Sequence, residues 1–323
     1  MQIQDSISKL KPAYSVCRAI HQVQASNFST QQFLDQYRRT GVPLVVSGLV
    51  NLEPAWDLDY LTQVIGEQSF PLRCYGRDRY EQDKRNWTSV GSGVSLQSQS
   101  FSKYAEMLKS GEASENDIYL GRCSLNQTPL ANTLAILNAE KQLGLCLPAT
   151  HLNLWLGASG HTACLHYDPM DSVLMQMHGS KHVILFPPSQ LDTLYPFPIY
   201  RQIRHGLAIR PGYSQVYPDR PDLEVFPAFR EAMRHRYEVV IHPGDVLFIP
   251  AGWWHEITTL GQEMVCSVNR FWHVLPLSRS LAWNKWRVHL GSLLALPHVL
   301  GMLVNAVGSD NRHLEMNKLL QKL

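Results

Sequence analysis

Three residues of the chain have the types and the spacing of ligands for a single metal ion. His166 and Asp168 stand two positions apart, and side chains at positions i and i+2 of a β-strand point to the same face. Both can therefore reach one ion from one short strand, while His255, much later in the chain, must come from another strand. Two imidazoles and one carboxylate form the facial triad of non-haem Fe(II) oxygenases, which leaves coordination positions open for substrate, cosubstrate or oxygen.

The context of His255 favours the metal interpretation over a chance one. With 14 histidines in the chain, one His-x-Asp tripeptide can arise by chance as a histidine beside a turn aspartate. However, residues 243–245 and 250–252 are Pro/Gly turn signals that enclose a short apolar strand at 246–249. A histidine that follows a buried strand and a tight turn is a plausible ligand from a second strand.

The elements around these residues predict a β-rich domain with helices on its flanks. Many short strands separated by Gly/Pro turns are typical of a sandwich or barrel. The turn at Gly179 and Ser180 predicts a hairpin that pairs the strands on either side of it. The connection over 187–236 is long for a β domain, which predicts a lid or a substrate contact. Strands are predicted over 42–46, 70–75, 117–125, 151–156, 162–167, 172–178, 181–186, 237–241, 246–249, 255–259 and 264–271. Helices are predicted from the capping box at Ser29 to Gly41, over 58–65, 101–109 and 130–143, and from 277 onward.

Composition is that of a globular protein with many turns. Of 323 residues, 45% are hydrophobic and 17% are charged. The net charge of +2 is too small to indicate a nucleic-acid-binding protein by charge alone. Six cysteines without a C-x-x-C pair, and an N-terminus without an apolar signal core, lead us to expect a cytoplasmic protein with reduced thiols.

Three segments of the sequence carry a resemblance to a known family. Residues 166–188 read HYDPMDSVLMQMHGSKHVILFPP, residues 244–255 read GDVLFIPAGWWH, and residues 268–272 read VNRFW. In this order and spacing they resemble the Jumonji-C-type, cupin-like Fe(II)/2-oxoglutarate oxygenases, especially the small hydroxylases that act on an asparagine of hypoxia-inducible factor or in the tRNA wybutosine pathway. Weaker similarity covers residues 119–272, and none of comparable quality precedes residue 100.

The resemblance implies a fold, a reaction and a division of the chain. The fold would be mainly β with flanking helices, built on a double-stranded β-helix, or jelly roll. Residues 1–276 would form the catalytic domain with an N-terminal α/β elaboration, and residues 277–323 a helical segment. The reaction would use Fe(II), 2-oxoglutarate and O2 to hydroxylate a substrate while 2-oxoglutarate is converted to succinate and CO2.

The same resemblance assigns residues to the cosubstrate. Lys181 is otherwise an ordinary hairpin lysine, and in similar hydroxylases the equivalent lysine holds the distal carboxylate. Tyr119 matches a tyrosine that hydrogen-bonds the same carboxylate, and Asn269 an asparagine near the keto-acid end. Ala163 replaces a threonine that touches the cosubstrate in the asparaginyl hydroxylase. Thr162 is a candidate to compensate, and Cys164 is an alternative.

Substrate and assembly remain open between alternatives. A protein or peptide side chain is the first expectation, a tRNA base the second and lysine demethylation the third, while a non-catalytic metal-binding cupin is the rival of another class. The apolar stretch 290–308, interrupted by Pro297, is expected to pack as a broken helix pair rather than to span a membrane. We expect a homodimer through C-terminal helices, which carry one apolar stripe at Leu293, Leu296 and Leu300. A second stripe comprises Met316, Leu319, Leu320 and Leu323.

Overall fold

Two β-sheets face each other in the computed structural model, which describes residues 17–308 and residue 312. Within this part of the chain, a five-stranded sheet has the order β1-β11-β10-β13-β8 and a nine-stranded sheet has the order β2-β3-β12-β9-β14-β7-β6-β4-β5. The strands are β1 Arg18–Ala19, β2 Gln22–Gln24, β3 Leu44–Ser47, β4 Ser69–Cys74, β5 Ser95–Ser100, β6 Ile118–Ser124, β7 Asn153–Gly157, β8 Thr162–Tyr167, β9 Asp171–His178, β10 Ser180–Phe186, β11 Tyr237–Ile241, β12 Val246–Ile249, β13 Trp254–Leu260 and β14 Val265–Trp272. The prediction of a mainly β jelly-roll fold with flanking helices is confirmed.

Helices flank the sheets before β4, between the strands and at the C-terminal end. They are α1 Thr30–Gln32, continued by a π-helical turn at Phe33–Arg38, α2 Leu58–Ile65, α3 Phe101–Ser110, α4 Glu112–Glu115, α5 Leu134–Gln142, α6 Arg201–His205, α7 Phe229–Met233, α8 Trp283–Leu294 and α9 Leu296–Gly308. The predicted boundaries of α2 are confirmed at both ends. Asp57 caps its first turn by accepting a hydrogen bond from the Tyr60 amide at 2.8 Å.

Alternation along the strands divides the apolar residues into three layers. Between the sheets lie residues such as Val183, Leu185 and Leu247. Val173 and Met175, on the opposite face of the nine-stranded sheet, pack against the flanking helices. The outer face of the five-stranded sheet is covered by the connection 187–236. The interior between the sheets is therefore closed on both sides, and polar residues that point into it must be there for a ligand or for one another.

The predicted hairpin between β9 and β10 is wrong. β9 pairs with β12 and β14, whereas β10 pairs with β11 and β13 in the other sheet. Gly179, with φ of 64°, turns the chain from one sheet to the other. The sequence pattern specifies a tight turn but not which sheet receives the next strand, and in a jelly roll successive strands alternate between sheets.

Strands also occupy two stretches for which the sequence predicted none. β5 lies within the polar segment 76–100, interpreted as a loop, and pairs with β4 along its length. β1 and β2 add short parallel pairings at the edge of each sheet. Their polar, partly exposed residues lack the apolar alternation that identifies a strand from sequence.

The C-terminal apolar stretch forms the broken helix pair that Pro297 predicted. Pro297 is the second residue of α9, where its missing N–H leaves no hydrogen bond unmade. Over the described part of the chain, no single helix is long and apolar enough to cross a membrane, although Lys285–Leu294 and Leu296–Gly308, bent by 53°, meet that test together by length and composition only. The predicted stripe at Met316, Leu319, Leu320 and Leu323 lies outside the described residues.

Candidate active site

Neighbouring strands bring the three predicted ligands together. His166 in β8 lies directly opposite His255 in β13, and Asp168 follows β8 immediately. One ligand atom from each side chain lies within 4.8 Å of those of the other two. Nε2 of His255 is 3.6 Å from Oδ2 of Asp168. Because three donors at roughly 2 Å from one ion lie within about 4 Å of each other, this spacing fits a metal with only small adjustments.

Backbone hydrogen bonds set the tautomers of both imidazoles. Nδ1 of His166 lies 2.8 Å from the carbonyl oxygen of Cys164, and Nδ1 of His255 lies 3.0 Å from that of Trp253. A carbonyl only accepts, so each Nδ1 carries the hydrogen and each Nε2 keeps its lone pair for a metal. Burial, followed by the neighbouring His166, lowers the pKa of His255 to about 4. The donor set therefore suits a divalent cation that binds neutral imidazole and carboxylate.

A buried ion pair fixes the two turns that carry Asp168 and His255. The Gly252 amide donates to the Asp168 carbonyl oxygen at 2.8 Å. Asp171 accepts from the Ala251 amide at 2.9 Å and receives both terminal nitrogens of Arg279, at 2.8 and 3.1 Å. Bidentate, charge-assisted pairs of this kind restrict geometry strongly. A residue C-terminal to the jelly roll thus positions the loop beside the candidate metal site.

A β-bulge in β8 decides which side chains next to His166 face inward. Three steps separate Ala163 from His166, whereas two separate their partners Ile257 and His255, so the extra residue puts Ala163 and His166 on the same face. The Leu165 amide, displaced from the ladder, donates to the buried carboxylate of Glu256 at 3.0 Å.

Thr162 therefore lies outside the lining of the cavity that the other predicted site residues share, and of those residues it meets only His166 and Tyr119 in a smaller one. Its hydroxyl group is 3.1 Å from that of Thr258. The side chain lines a smaller adjoining cavity of about 50 Å³, to which Cys164 also contributes. Thr162 was a candidate to replace the threonine that similar hydroxylases have at the position of Ala163, and the bulge turns Ala163, not Thr162, to the face of His166.

The remaining predicted residues share one cavity of about 350 Å³ between the sheets. Its lining includes the three candidate ligands together with Lys181, Tyr119 and Asn269. Ligand pockets typically measure 300–1,000 Å³, so this one is at the small end of that range. It would have to hold both a cosubstrate and the reacting part of a substrate.

Lys181 lies deep in this cavity. Its side chain is buried, and its Nζ donates to the Ser267 hydroxyl. In the pairing of β10 with β13, Lys181 lies opposite Thr259 and Leu185 lies opposite His255. Lys181 is therefore four residues along β10 from the level of His255. At about 3.3 Å per residue these levels are roughly 13 Å apart along the strand. An extended lysine together with a five-carbon diacid chelating the metal can bridge such a span.

We expect the affinity for 2-oxoglutarate to fall as pH rises above about 8. Burial lowers the pKa of Lys181 to about 8, so the ammonium form is present below that pH and is lost above it. The dissociation constant should rise by up to about tenfold per pH unit until the pKa of the occupied site is reached. Titration with Mn(II) in place of Fe(II) between pH 6.5 and 9.5 measures this. The Lys181→Met variant is the control, and the same slope in both proteins would contradict the assignment.

Tyr119 and Asn269 are held rigidly by their surroundings. The Tyr119 ring stacks on His161 with a centroid separation of 3.7 Å. A Cβ atom at Gly157 would lie 2.3 Å from the Tyr119 ring, so this glycine makes room for it. The Asn269 side chain accepts from Trp155 Nε1 at 2.8 Å and donates to the Ser172 hydroxyl at 3.1 Å. Both residues therefore present preorganised polar groups at the cavity wall.

Several residues of the cavity were not identified from sequence. Tyr213, from the long connection 187–236, stacks on His166 with a centroid separation of 4.7 Å and an interplanar angle of 11°. Arg73, Arg122 and Arg210 also line the cavity. The unusual length of the connection was the only signal for Tyr213 and Arg210, and nothing in the local pattern of β4 or β6 distinguishes Arg73 or Arg122 from surface arginines.

The family model described as "Cupin-like domain" matches residues 30–277. The chain belongs to this family. The match covers every strand from β3 onward and all the residues assigned to the site, and it ends where the C-terminal helical segment begins. The residues predicted to bind the metal and the cosubstrate thus lie within the part of the chain that matches the family.

Curated relatives carry the names of several Jumonji-type proteins. Lysine-specific demethylase JMJ31 of Arabidopsis thaliana is 30% identical over 56% of this chain and 32% of that protein. Lysine-specific demethylase 8 of Xenopus tropicalis is 27% identical over 76% of this chain and 51% of that protein. tRNA wybutosine-synthesizing protein 5 of Homo sapiens is 28% identical over 77% of this chain and 76% of that protein. The chain thus spans about a third of the length of JMJ31 and about half of the length of lysine-specific demethylase 8.

Proposed function

We propose that the protein is an Fe(II)/2-oxoglutarate-dependent hydroxylase. The observation that supports this most is the common cavity of His166, Asp168, His255 and Lys181. A metal triad alone would suit many cupins. A buried lysine at the far end of the same cavity needs an anion, because an unpaired buried charge is costly, and a dicarboxylate that chelates the metal supplies one.

Each residue has a definite task in this proposal. His166 and His255 present Nε2, and Asp168 a carboxylate oxygen, to Fe(II), which when bound supplies the oxygen chemistry. Lys181 neutralises the distal carboxylate of 2-oxoglutarate. Tyr119, whose pKa is raised well above its usual value by burial, remains a phenol that donates a hydrogen bond to that carboxylate. Asn269 orients the keto-acid end through its amide.

The substrate that we propose first is a side chain of a protein or peptide. Several relatives are named lysine-specific demethylases, and lysine is a side chain of proteins. A tRNA base is the second candidate, because the chain covers 76% of the human tRNA wybutosine-synthesizing protein 5. Hydroxylation inserts one oxygen atom of O2 into a substrate C–H bond, while the other enters succinate.

Turnover of the cosubstrate tests the proposal directly. Purified protein with Fe(II), O2 and 2-oxoglutarate is expected to form succinate, and incubation with host proteins or tRNA should add 16 Da to one of them. Mass spectrometry of both products separates the protein and tRNA candidates. Absence of succinate under all these conditions would favour the alternative of a non-catalytic metal-binding cupin.

We further propose that the protein is a homodimer through its C-terminal helices. Leu293, Leu296, Leu300 and Val304 are 58%, 47%, 58% and 70% exposed, and exposed apolar surface of this extent is unusual on a free helix pair. Light scattering at micromolar concentration should give the dimer mass, and Leu300→Asp should shift it toward the monomer. A monomeric wild-type protein with its tail intact would contradict this.

A further inference from the structure

Four cationic side chains surround the cavity, which is more than the proposed cosubstrate requires. Besides Lys181, they are Arg73, Arg122 and Arg210. Among the described residues of the lining, Asp168 is the only carboxylate, and the metal would take up its charge. A divalent metal, Asp168 and Lys181 together carry +2, which the 2-oxoglutarate dianion balances. The positive charges of Arg73 and Arg122 then exceed what these groups balance, and Arg210 adds to the positive charge of the lining.

The three guanidinium groups are close enough to repel one another. Burial and then repulsion from Arg73 lower the pKa of Arg122. Burial is also the largest cause of the lowered pKa of Arg210, to which repulsion from Arg122 and Arg73 contributes. Each still titrates far above neutral pH. Three arginines that repel one another around one cavity have the arrangement of an anion site.

Arg73 marks the place of that site. It is 4% exposed and lies in β4 directly opposite Tyr119 of β6. Its carbon Cζ lies 6.0 Å from the centre of the Trp155 ring. Nε and Nη2 are buried and have no hydrogen-bond partner within the described chain. These two nitrogens form one edge of the guanidinium plane, to which a carboxylate binds in a bidentate manner.

We propose that the substrate carries a carboxylate group into the cavity, where Arg73 binds it and Arg122 and Arg210 add positive charge. This inference rests on the proposed hydroxylase function and specifies its substrate class. An acidic side chain of a peptide and a small organic acid share this chemistry. The site would hold the acid group and leave a neighbouring C–H bond toward the metal.

Size and charge favour a carboxylate over the groups suggested by the relatives. A cavity of about 350 Å³, shared with 2-oxoglutarate, leaves room inside it for a group about the size of a side chain. A methylated lysine would place its ammonium group among three guanidinium groups, and like charges in a closed site are strongly unfavourable. The arginines thus disfavour a cationic substrate in this cavity.

Paired acid and amide probes test the proposal on the whole protein loaded with Fe(II) and 2-oxoglutarate without oxygen. Calorimetry compares N-acetylaspartate N-methylamide with N-acetylasparagine N-methylamide, and propionate with propionamide. The acid of each pair should bind about tenfold more tightly or better. A preference for the blocked aspartate over propionate identifies a peptide source, and the reverse identifies a small acid. Equal binding of acid and amide in both pairs overturns the proposal.

Variants of the arginines show which side chains cause the preference for the acid over the amide. Arg73→Gln should reduce the ratio of acid to amide affinity to about one to threefold, and Arg122→Gln, at a less buried position, should reduce it even if the first variant does not fold. Arg234→Gln, whose side chain is 71% exposed, is the matched control and should keep the wild-type ratio. If Arg73→Gln weakens 2-oxoglutarate binding but leaves the ratio unchanged, Arg73 serves the cosubstrate and the proposal is wrong.

Two further outcomes separate this inference from the proposed function. The visible charge-transfer band of the Fe(II)–2-oxoglutarate complex reports whether wild-type protein assembles the proposed centre. A band without discrimination between acid and amide rejects the carboxylate site alone, whereas absence of the band rejects the hydroxylase and this inference with it. Tighter binding of a nucleoside monophosphate than of either acid would replace the carboxylate by a phosphate and overturn the inference.

Discussion

Asp168→Ala is expected to lower Fe(II) affinity by more than about 100-fold and to abolish formation of succinate. Loss of a residue that only supports a ligand already costs about 10- to 100-fold in metal affinity or activity, and Asp168 is the anionic member of the triad itself. Without it, His166 and His255 would have to bind a divalent cation with two neutral donors. Anaerobic titration with Fe(II), repeated with Mn(II), measures the affinity, and succinate is assayed in the same samples.

The matched control is His178→Ala. His178 lies at the end of β9, partly exposed, with Nε2 3.8 Å from Glu263, and it belongs to no candidate ligand set. This variant should bind iron as the wild-type protein does. Iron affinity that survives in Asp168→Ala, or falls equally in both variants, would show that the metal is held elsewhere.

Strands with strong local patterns were predictable from the sequence. β8, β11 and β12 have the predicted boundaries at both ends, because each is a short apolar run between turn residues. The triad followed from the same information, since a His-x-Asp in a strand needs only one ligand from another strand. For β8, β11 and β12, the local spacing of apolar and turn residues was therefore sufficient to predict where each strand begins and ends.

The pairing of strands that are distant in sequence, and the burial of charged residues such as Arg73, were not predictable in this way. Gly179 specifies a turn, but only the packed jelly roll decides that β9 and β10 belong to different sheets. The bulge between Ala163 and His166 puts these two residues on the same face, and its displaced Leu165 amide donates to Glu256 of β13. Arg73 becomes an interior residue only because β4 pairs with β6. Each of these features arises from a partner distant in sequence, on which local periodicity carries no information.

Lys181→Met should weaken 2-oxoglutarate binding by roughly 30-fold or more while leaving iron binding intact. Removing one partner of a buried charge pair costs about 2–5 kcal/mol, and about 1.4 kcal/mol corresponds to a factor of ten. Methionine preserves the volume and the unbranched stem, so the layer formed by Val183 and Leu185 is not disturbed. Titration of the Fe(II)-loaded protein with 2-oxoglutarate under nitrogen measures the loss.

A loss of 2-oxoglutarate affinity without a loss of iron affinity would show that Lys181 acts on the cosubstrate and not on the metal. Lys181 lies about four residues along β10 from the level of His255, so its replacement should not alter the ligand geometry. Lys109→Met is the control, because that lysine is on the surface in an exposed ion pair with Asp59. An unchanged affinity for 2-oxoglutarate in Lys181→Met would mean that the distal carboxylate is bound by another cation, for which Arg73, opposite Tyr119, is the candidate. In that case Arg73 would bind 2-oxoglutarate and Lys181 would be left to bind the carboxylate of the substrate. The binding of the acid and amide probes would then have to be measured again in Lys181→Met.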